Sequence, residues 1–278
     1  MADHQILIVG GGAAGIATAA SLHKRDASLD IAIIERSTTH YYQPGWTMVG
    51  AGVFKKEETA RSTASVMPPY VTQIRGTVAS FQPDENSVRL EDGKVLTYGS
   101  LVVAAGLKLD WAAIEGLEEA LGRNGVTSNY RYDLAPYTWE LVQKMRGEKA
   151  IFPQPPMPIK CAGAPQKAMY LSCSTWMQVG KIKDIDVSFC NAGPVLFGCA
   201  DYVPPLMEYV DRYGINLDFG YNLVKVDGPN QIATFKVAKE GEDPRLVERK
   251  FDMLHVCPPQ CAPDFIKDSP LANEAGWM

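Results

Sequence analysis

The run Gln5-Ile6-Leu7-Ile8-Val9-Gly10-Gly11-Gly12-Ala13-Ala14-Gly15 decides the fold. Gln5 to Val9 reads as a short buried strand, and Ala13 to Lys24, rich in alanine, reads as a helix. Ile31 to Ile34 is a second apolar run. Strand, helix and strand in this order imply a parallel sheet with helices packed on it. Gly10 to Gly15 matches G-x-G-x-x-G at the strand-to-helix turn. Glu35 follows about twenty residues later, the spacing of an acid that binds a ribose hydroxyl. Gly10 permits the tight turn, Gly12 lets the backbone approach a pyrophosphate, and Gly15 lets the helix pack closely on the strand. The helix N-terminus adds unpaired N–H groups and a positive dipole end. Glu35 would repel a 2′-phosphate. The bland alternative is a glycine-rich turn in an α/β protein that binds no nucleotide.

Working outward, Val71 to Leu96 alternates short β-rich pieces with turn signals such as Pro83-Asp84-Glu85-Asn86 and Glu91-Asp92-Gly93. This reads as an antiparallel meander set into the parallel unit. Leu101 to Ala105 returns to a continuous apolar strand that ends at Gly106. A second βα stretch follows. Ala150 to Phe152 and Ile185 to Cys190 read as strands, as does Ile232 to Val237; Ala164 to Val179 and Tyr202 to Tyr213 read as helices. Met169, Leu171, Trp176 and Met177 are candidates for its core, and Cys173, Cys190 and Cys199 read as core thiols. Pro153 to Pro158 and Pro258 to Pro263 read as loops.

Composition bounds the function. The chain has 278 residues and a formal net charge of −5, which speaks against a general nucleic-acid binder. Six cysteines are too sparse for a disulfide scaffold and point to a reducing compartment. No apolar run approaches the roughly 18 residues that cross a bilayer. The chain starts straight into a strand pattern, with no leader expected. The four histidines show no metal-ligand spacing, so no metal is expected, and neither a nucleophile elbow nor a P-loop is present. Cys257 and Cys261 flank Pro258-Pro259-Gln260 and read as two ordinary thiols rather than a local pair.

After the strand Ala150 to Phe152, where a second dinucleotide loop would stand, the chain has Pro153, Pro155, Pro156 and Pro158. Proline lacks the N–H that a phosphate cradle needs, so NAD is not expected there. Cys161 follows Lys160 just before the helix with Pro165 near its start. A neighbouring cation and a helix N-terminus favour thiolate over thiol, and a thiolate attacks sulfur or carries a persulfide. The competing interpretation is a buried, inert cysteine.

These stretches together resemble a known family. Gly10 to Gly15, His40-Tyr41-Tyr42-Gln43-Pro44-Gly45-Trp46-Thr47-Met48-Val49-Gly50-Ala51-Gly52, Ser128-Asn129-Tyr130, Lys160 to Lys167 and Met253-Leu254-His255-Val256 look like a sulfide:quinone oxidoreductase of the subgroup that includes the mitochondrial enzyme. Tyr98 to Gly106 resembles the second flavin fingerprint of two-dinucleotide-domain flavoproteins, which favours FAD at the first site. The resemblance implies that Gly10, Gly12, Ala13, Ala14 and Gly15 surround the FAD pyrophosphate and that Glu35 takes the adenosine ribose. It also implies that Val78 contacts the adenine end, that Gly106 lies beside the FAD and that Gln43 lies by the flavin. Cys161 would be one of two redox cysteines. Asn129 stands where some bacterial relatives carry a further cysteine.

The implied fold is α/β, with two Rossmann-like domains of the flavoprotein disulfide reductase type. Residues 1–120 would form a first FAD-binding segment, 121–250 a Rossmann-like domain without an NAD phosphate loop, and 251–278 a return to the FAD domain. The implied reaction is FAD-dependent oxidation of sulfide, with electrons passed to a quinone through a cysteine persulfide and the sulfane sulfur passed to a nucleophilic acceptor. The implied location is the surface of a bacterial or mitochondrial inner membrane, as a peripheral protein, bound through a region beyond these residues. The second redox cysteine would also lie beyond Met278, so this chain alone is expected to turn sulfide over poorly. NADH:quinone oxidoreductase on the same scaffold and an inactive remnant are the alternatives.

Overall fold

Alternation along short apolar strands builds the first half of the architecture. The structure is a computed structural model that describes residues 2–238 and 241–278. In β1 (His4–Val9), Ile8 faces one side of the sheet while Leu7 and Val9 face the other; in β2 (Ile31–Glu35), Ile31 and Ile33 are set against Ala32 and Ile34 in the same way. α1 (Ala13–Arg25) lays Ala19 on the Ile8 face. Both faces are covered, as a parallel sheet requires. β3 (Val71–Arg75) pairs parallel with β2 at the edge. β4 (Val78–Gln82), β5 (Ser87–Leu90) and β6 (Val95–Val103) run antiparallel to one another in sequence, and the far half of β6 pairs parallel with β1. The sheet order is β3-β2-β1-β6-β5-β4. The meander therefore begins at Val78. Val71 to Arg75, read from sequence as part of it, extends the parallel sheet instead, because Ile74 packs beside the face formed by Ala32 and Ile34.

A second sheet is wholly parallel. Its order is β7-β14-β8-β9-β10, formed by β7 (Val126–Thr127), β8 (Lys149–Gln154), β9 (Asp186–Asn191), β10 (Asn216–Phe219) and β14 (Met253–His255). A three-stranded antiparallel sheet, β11 (Tyr221–Asp227), β12 (Ile232–Val237) and β13 (Arg245–Lys250), packs Leu223, Val226 and Phe235 against Ile151 and Leu254 of its opposite face. α4 (Ala164–Gln178) covers the remaining face with Met169, Cys173 and Trp176, beside α5 (Val203–Tyr213), which contributes Val210. The Trp176 indole N–H donates to the Val142 carbonyl at 2.9 Å, within α3 (Ala135–Lys144). Fully buried side chains of this size contribute roughly 1.5–3 kcal/mol each.

The chain divides into two compact units. One holds residues up to Tyr42, Ala60–Lys108 and Cys261–Met278; the other holds Gln43–Thr59 and Leu109–Gln260. Residues 43–59 thus cluster with the second unit although the chain enters them from the first. Trp46 and Val49, on α2 (Gly45–Gly50), bury themselves against Ala135 of α3.

Three local readings are corrected. Pro153 lies in β8, opposite Cys190, because β8 runs on to Gln154 after its pairing with β14 has ended at Ile151; proline is tolerated where one side of a strand has no ladder to complete. Met177 is exposed near the end of α4, and Cys199 is exposed in the turn before α5. Neither joins the core.

Candidate functional site

The turn from β1 to α1 is shaped by its glycines. Gly10 has φ +105°, and a Cβ there would stand 2.4 Å from the Ala104 carbonyl oxygen. A Cβ on Gly15 would stand 1.9 Å from the Gly10 carbonyl oxygen, so only glycine lets the helix come this close. A Cβ on Gly12 would meet nothing within 4 Å. That open space faces the first turn of α1, which begins at Ala13 and Ala14, both exposed, and carries no acidic residue there. Glu35 closes the other end. Its Oε2 accepts the Gly11 N–H at 2.7 Å and its Oε1 accepts the Ser37 N–H at 2.6 Å. A cavity of about 480 Å³ opens beside it, lined among others by Gly10, Glu35, Val78, Lys108, Asp264 and Phe265. Lys108 and Asp264 form an ion pair at 2.7 Å. Gly106, at φ +76°, follows the end of β6 by three residues. N–H groups at the open cradle and a carboxylate at the far wall fit the pyrophosphate and ribose of a dinucleotide.

The second unit carries the cysteine. Cys161 is exposed, and its backbone is left-handed, with φ +65°. That conformation costs a non-glycine residue about 1–3 kcal/mol and persists only where the surroundings enforce it. Here they do. The Lys160 N–H donates to Gln260 Oε1 at 2.5 Å, and the Lys160 carbonyl accepts the Tyr130 hydroxyl at 2.8 Å. Downstream, the Ala164 N–H donates to the Cys161 carbonyl at 2.8 Å as α4 begins. The sulfur accepts from Lys167 Nζ at 3.3 Å. Lys160 turns instead to Gln43, its Nζ donating to Oε1 at 2.7 Å. Burial pulls the Lys160 ammonium below its ordinary value, opposed by the neighbouring Cys161 sulfur. The cation bonded to the sulfur is therefore Lys167, not the adjacent lysine that sequence pointed to. Gln43 clusters with this unit and not with the Gly10–Gly15 cradle.

Buried polar atoms gather at the C-terminal edge of the parallel sheet. Asn129 Oδ1 and Nδ2, Gln154 Oε1, His255 Nδ1 and Gln260 Nε2 have no protein partner. They follow or end β7, β8 and β14, the side of a parallel α/β sheet where ligands bind. His255 is fully buried, and its Nε2 accepts the Asn129 N–H at 3.0 Å. Burial pulls its pKa from 6.5 down to about 4, so the ring is neutral at pH 7. Burial likewise raises the Cys257 thiol, opposed by the Tyr130 hydroxyl, with Cys161 adding to the rise. All six cysteines are free, and Cys257 is buried whereas Cys261 is only partly so.

Residues 4–139 match the family model described as pyridine nucleotide-disulphide oxidoreductase. The chain is 38% identical over 275 residues to the mitochondrial sulfide:quinone oxidoreductase of Mus musculus, covering 99% of the chain and 61% of the relative. It is 39% identical over 274 residues to the Dictyostelium discoideum protein of the same name, covering 98% and 59%. The similarity to these sulfide:quinone oxidoreductases runs over nearly the whole of this chain. The chain spans about three fifths of the length of these relatives. The solved sulfide:quinone oxidoreductase of Aquifex aeolicus shares its fold, with a TM-score of 0.81 at 22% identity over 99% of this chain and 63% of that one.

Three residues of the cysteine site carry no role in the sequence alone. Lys167 stands six residues from Cys161, beyond the reach of a nearest-neighbour argument, and its relevance came only from the shared stretch Lys160 to Lys167. Tyr130 lay in a family stretch, Ser128-Asn129-Tyr130, without an assigned role. Gln260 lies between Cys257 and Cys261 in sequence and has no local signal of its own.

Proposed function

We propose that this chain is the dinucleotide- and cysteine-bearing part of a sulfide:quinone oxidoreductase, binding FAD in its first unit and handling sulfur at Cys161 in its second. The observation that carries the reading is the exposed Cys161 sulfur held in a left-handed turn with Lys167 Nζ 3.3 Å away. An inert structural thiol needs neither the strain nor the cation.

Gly10, Gly12, Ala13, Ala14 and Gly15 would receive the FAD pyrophosphate, Glu35 the ribose, and Val78 the adenine end; Gly106 would lie beside the cofactor and Gln43 beside the flavin. FAD, when bound, supplies a two-electron acceptor. At Cys161, sulfide attacks Sγ within a sulfur bridge. An S–S bond between Sγ and the incoming sulfur forms, the bond from Sγ to the bridging sulfur breaks, and the bridging sulfur departs on the other side as a persulfide anion that takes the electron pair. Cys161 then carries a persulfide. A nucleophilic acceptor takes its outer sulfur and returns the Cys161 thiolate. Over the cycle, sulfide loses two electrons and a quinone gains two electrons and two protons. Lys167 serves as the counter-charge for the anionic sulfur at each stage. We assign the protein to a membrane surface, where quinones reside; among the described residues, no helix is long and apolar enough to cross a membrane.

The proline-rich stretch after β8 supports sulfide over NADH as the electron source. Anaerobic mixing of the FAD-loaded protein, in the longest native form that contains these residues, with each reductant tests this. Sulfide is expected to bleach the flavin absorbance, while NADH leaves it unchanged on the same timescale. Bleaching by NADH and not by sulfide would overturn the reading.

A further inference from the structure

We infer that Tyr130 and Gln260 are positioning residues for the cysteine: together they clamp the Lys160 peptide so that Cys161 holds its left-handed turn and its sulfur stays on Lys167. The inference rests on the reading of Cys161 as the sulfur-bearing nucleophile and names what presents it.

The two side chains take both backbone groups of one residue. Gln260 Oε1 accepts the Lys160 N–H at 2.5 Å, and the Tyr130 hydroxyl donates to the Lys160 carbonyl at 2.8 Å. These bonds fix the chain immediately before Cys161, and the Ala164 N–H on the Cys161 carbonyl fixes it immediately after. With both flanks held, the strained φ of +65° has no neighbouring torsion through which to relax. Lys167 lies within the first turns of α4, and its backbone N–H donates to the Gly163 carbonyl at 2.8 Å, so its position is set by the helix and not by the loop. The 3.3 Å contact to Sγ is therefore a contact between a fixed helix and a clamped loop. Release of the loop would lose it. Both clamping groups come from afar, 30 and 100 residues away in sequence. Gln260 is buried, and burial, with Cys257 adding, raises the Tyr130 hydroxyl so that it remains a protonated donor.

Charge-selective alkylation reads the contact directly. The rate of modification at Cys161 is measured with anionic iodoacetate and with neutral iodoacetamide, by peptide mass analysis, and the ratio is compared with that at Cys199, a second exposed thiol of the same chain. A cation held at the sulfur raises the iodoacetate-to-iodoacetamide ratio at Cys161 about fivefold over Cys199, the scale of one charge contact screened by water. Lys167→Met removes that excess, and Lys167→Arg retains it. Tyr130→Phe and Gln260→Met, each with secondary structure intact by circular dichroism, bring the Cys161 ratio down toward that of Cys199. General loosening of the fold does not produce this loss of charge preference at one thiol. If either clamp variant fails to fold, the other is decisive by itself. An unchanged excess in a folded clamp variant overturns the clamp, and an unchanged excess in Lys167→Met overturns the lysine contact it serves. Neither outcome touches sulfide-dependent bleaching of the flavin, so failure of the clamp and failure of the functional reading are separable.

Discussion

At the scale of single residues, burial decides the charge states around the sheet edge. His255 is fully enclosed, stacked near Phe152 at 5.9 Å, with its Nε2 committed to the Asn129 N–H. Its pKa of about 4 lies below the ordinary 6.5. The unfolded chain therefore binds more protons than the folded one between these values, and stability falls as pH drops from about 6.5 toward 4. Between pH 7 and pH 5 this one residue should cost about 2 kcal/mol. Urea midpoints at the two pH values check it, with His255→Gln, whose amide oxygen can still accept the Asn129 N–H, showing a smaller acid loss. An identical loss in both proteins would contradict the assignment. At this scale the sequence was only partly legible. Cys161 stood out by its loop and its neighbours, but its cation did not, because a left-handed turn at Cys161 sends Lys160 to Gln43 and brings Lys167 to the sulfur. Tyr130 and Gln260 reach Lys160 only through the folding of the second unit, which local spacing does not encode.

At the scale of elements, the β1–α1 turn separates two jobs that one motif performs. Gly15 permits packing, since a Cβ there would collide with the Gly10 backbone at 1.9 Å. Gly12 borders open space, since a Cβ there meets nothing, and that space is the one proposed for the pyrophosphate. Gly15→Ala should therefore lose about 2–4 kcal/mol of stability together with FAD binding. Gly12→Ala should keep its stability within about 0.5 kcal/mol and weaken FAD at least about tenfold. Thermal melts beside flavin-fluorescence titrations separate the two; equal effects of the two variants would remove the pyrophosphate from Gly12. These elements were legible because turn chemistry is local: three glycines, a following helix and Glu35 all lie within one strand–helix–strand unit. Val71 to Arg75 was harder, since the short β-rich segments after it have the same alternation whether they pair parallel or antiparallel, and only burial against β2 chooses. Residues 43–59 were harder still. Trp46 and Val49 are apolar enough to mark themselves as buried, but nothing local says that their partner is Ala135, and Val53 and Phe54 beside them stay exposed.

At the scale of the whole molecule, two units of α/β type each enclose a core of their own, the first with a cavity of about 480 Å³ beside Gly10 and Glu35 and the second with an exposed, clamped cysteine. FAD at a hundred times its Kd should stabilise the first unit by about 2.7 kcal/mol. A melt followed by flavin fluorescence should then shift upward with FAD concentration and should not shift with NADH. The central claim is that Cys161 carries the sulfur chemistry, and it is tested most directly by flavin bleaching under saturating sulfide in the longest native form that contains these residues, wild type against Cys161→Ser. Both proteins are expected to hold FAD, and only the wild type is expected to bleach; equal bleaching rates would contradict the account.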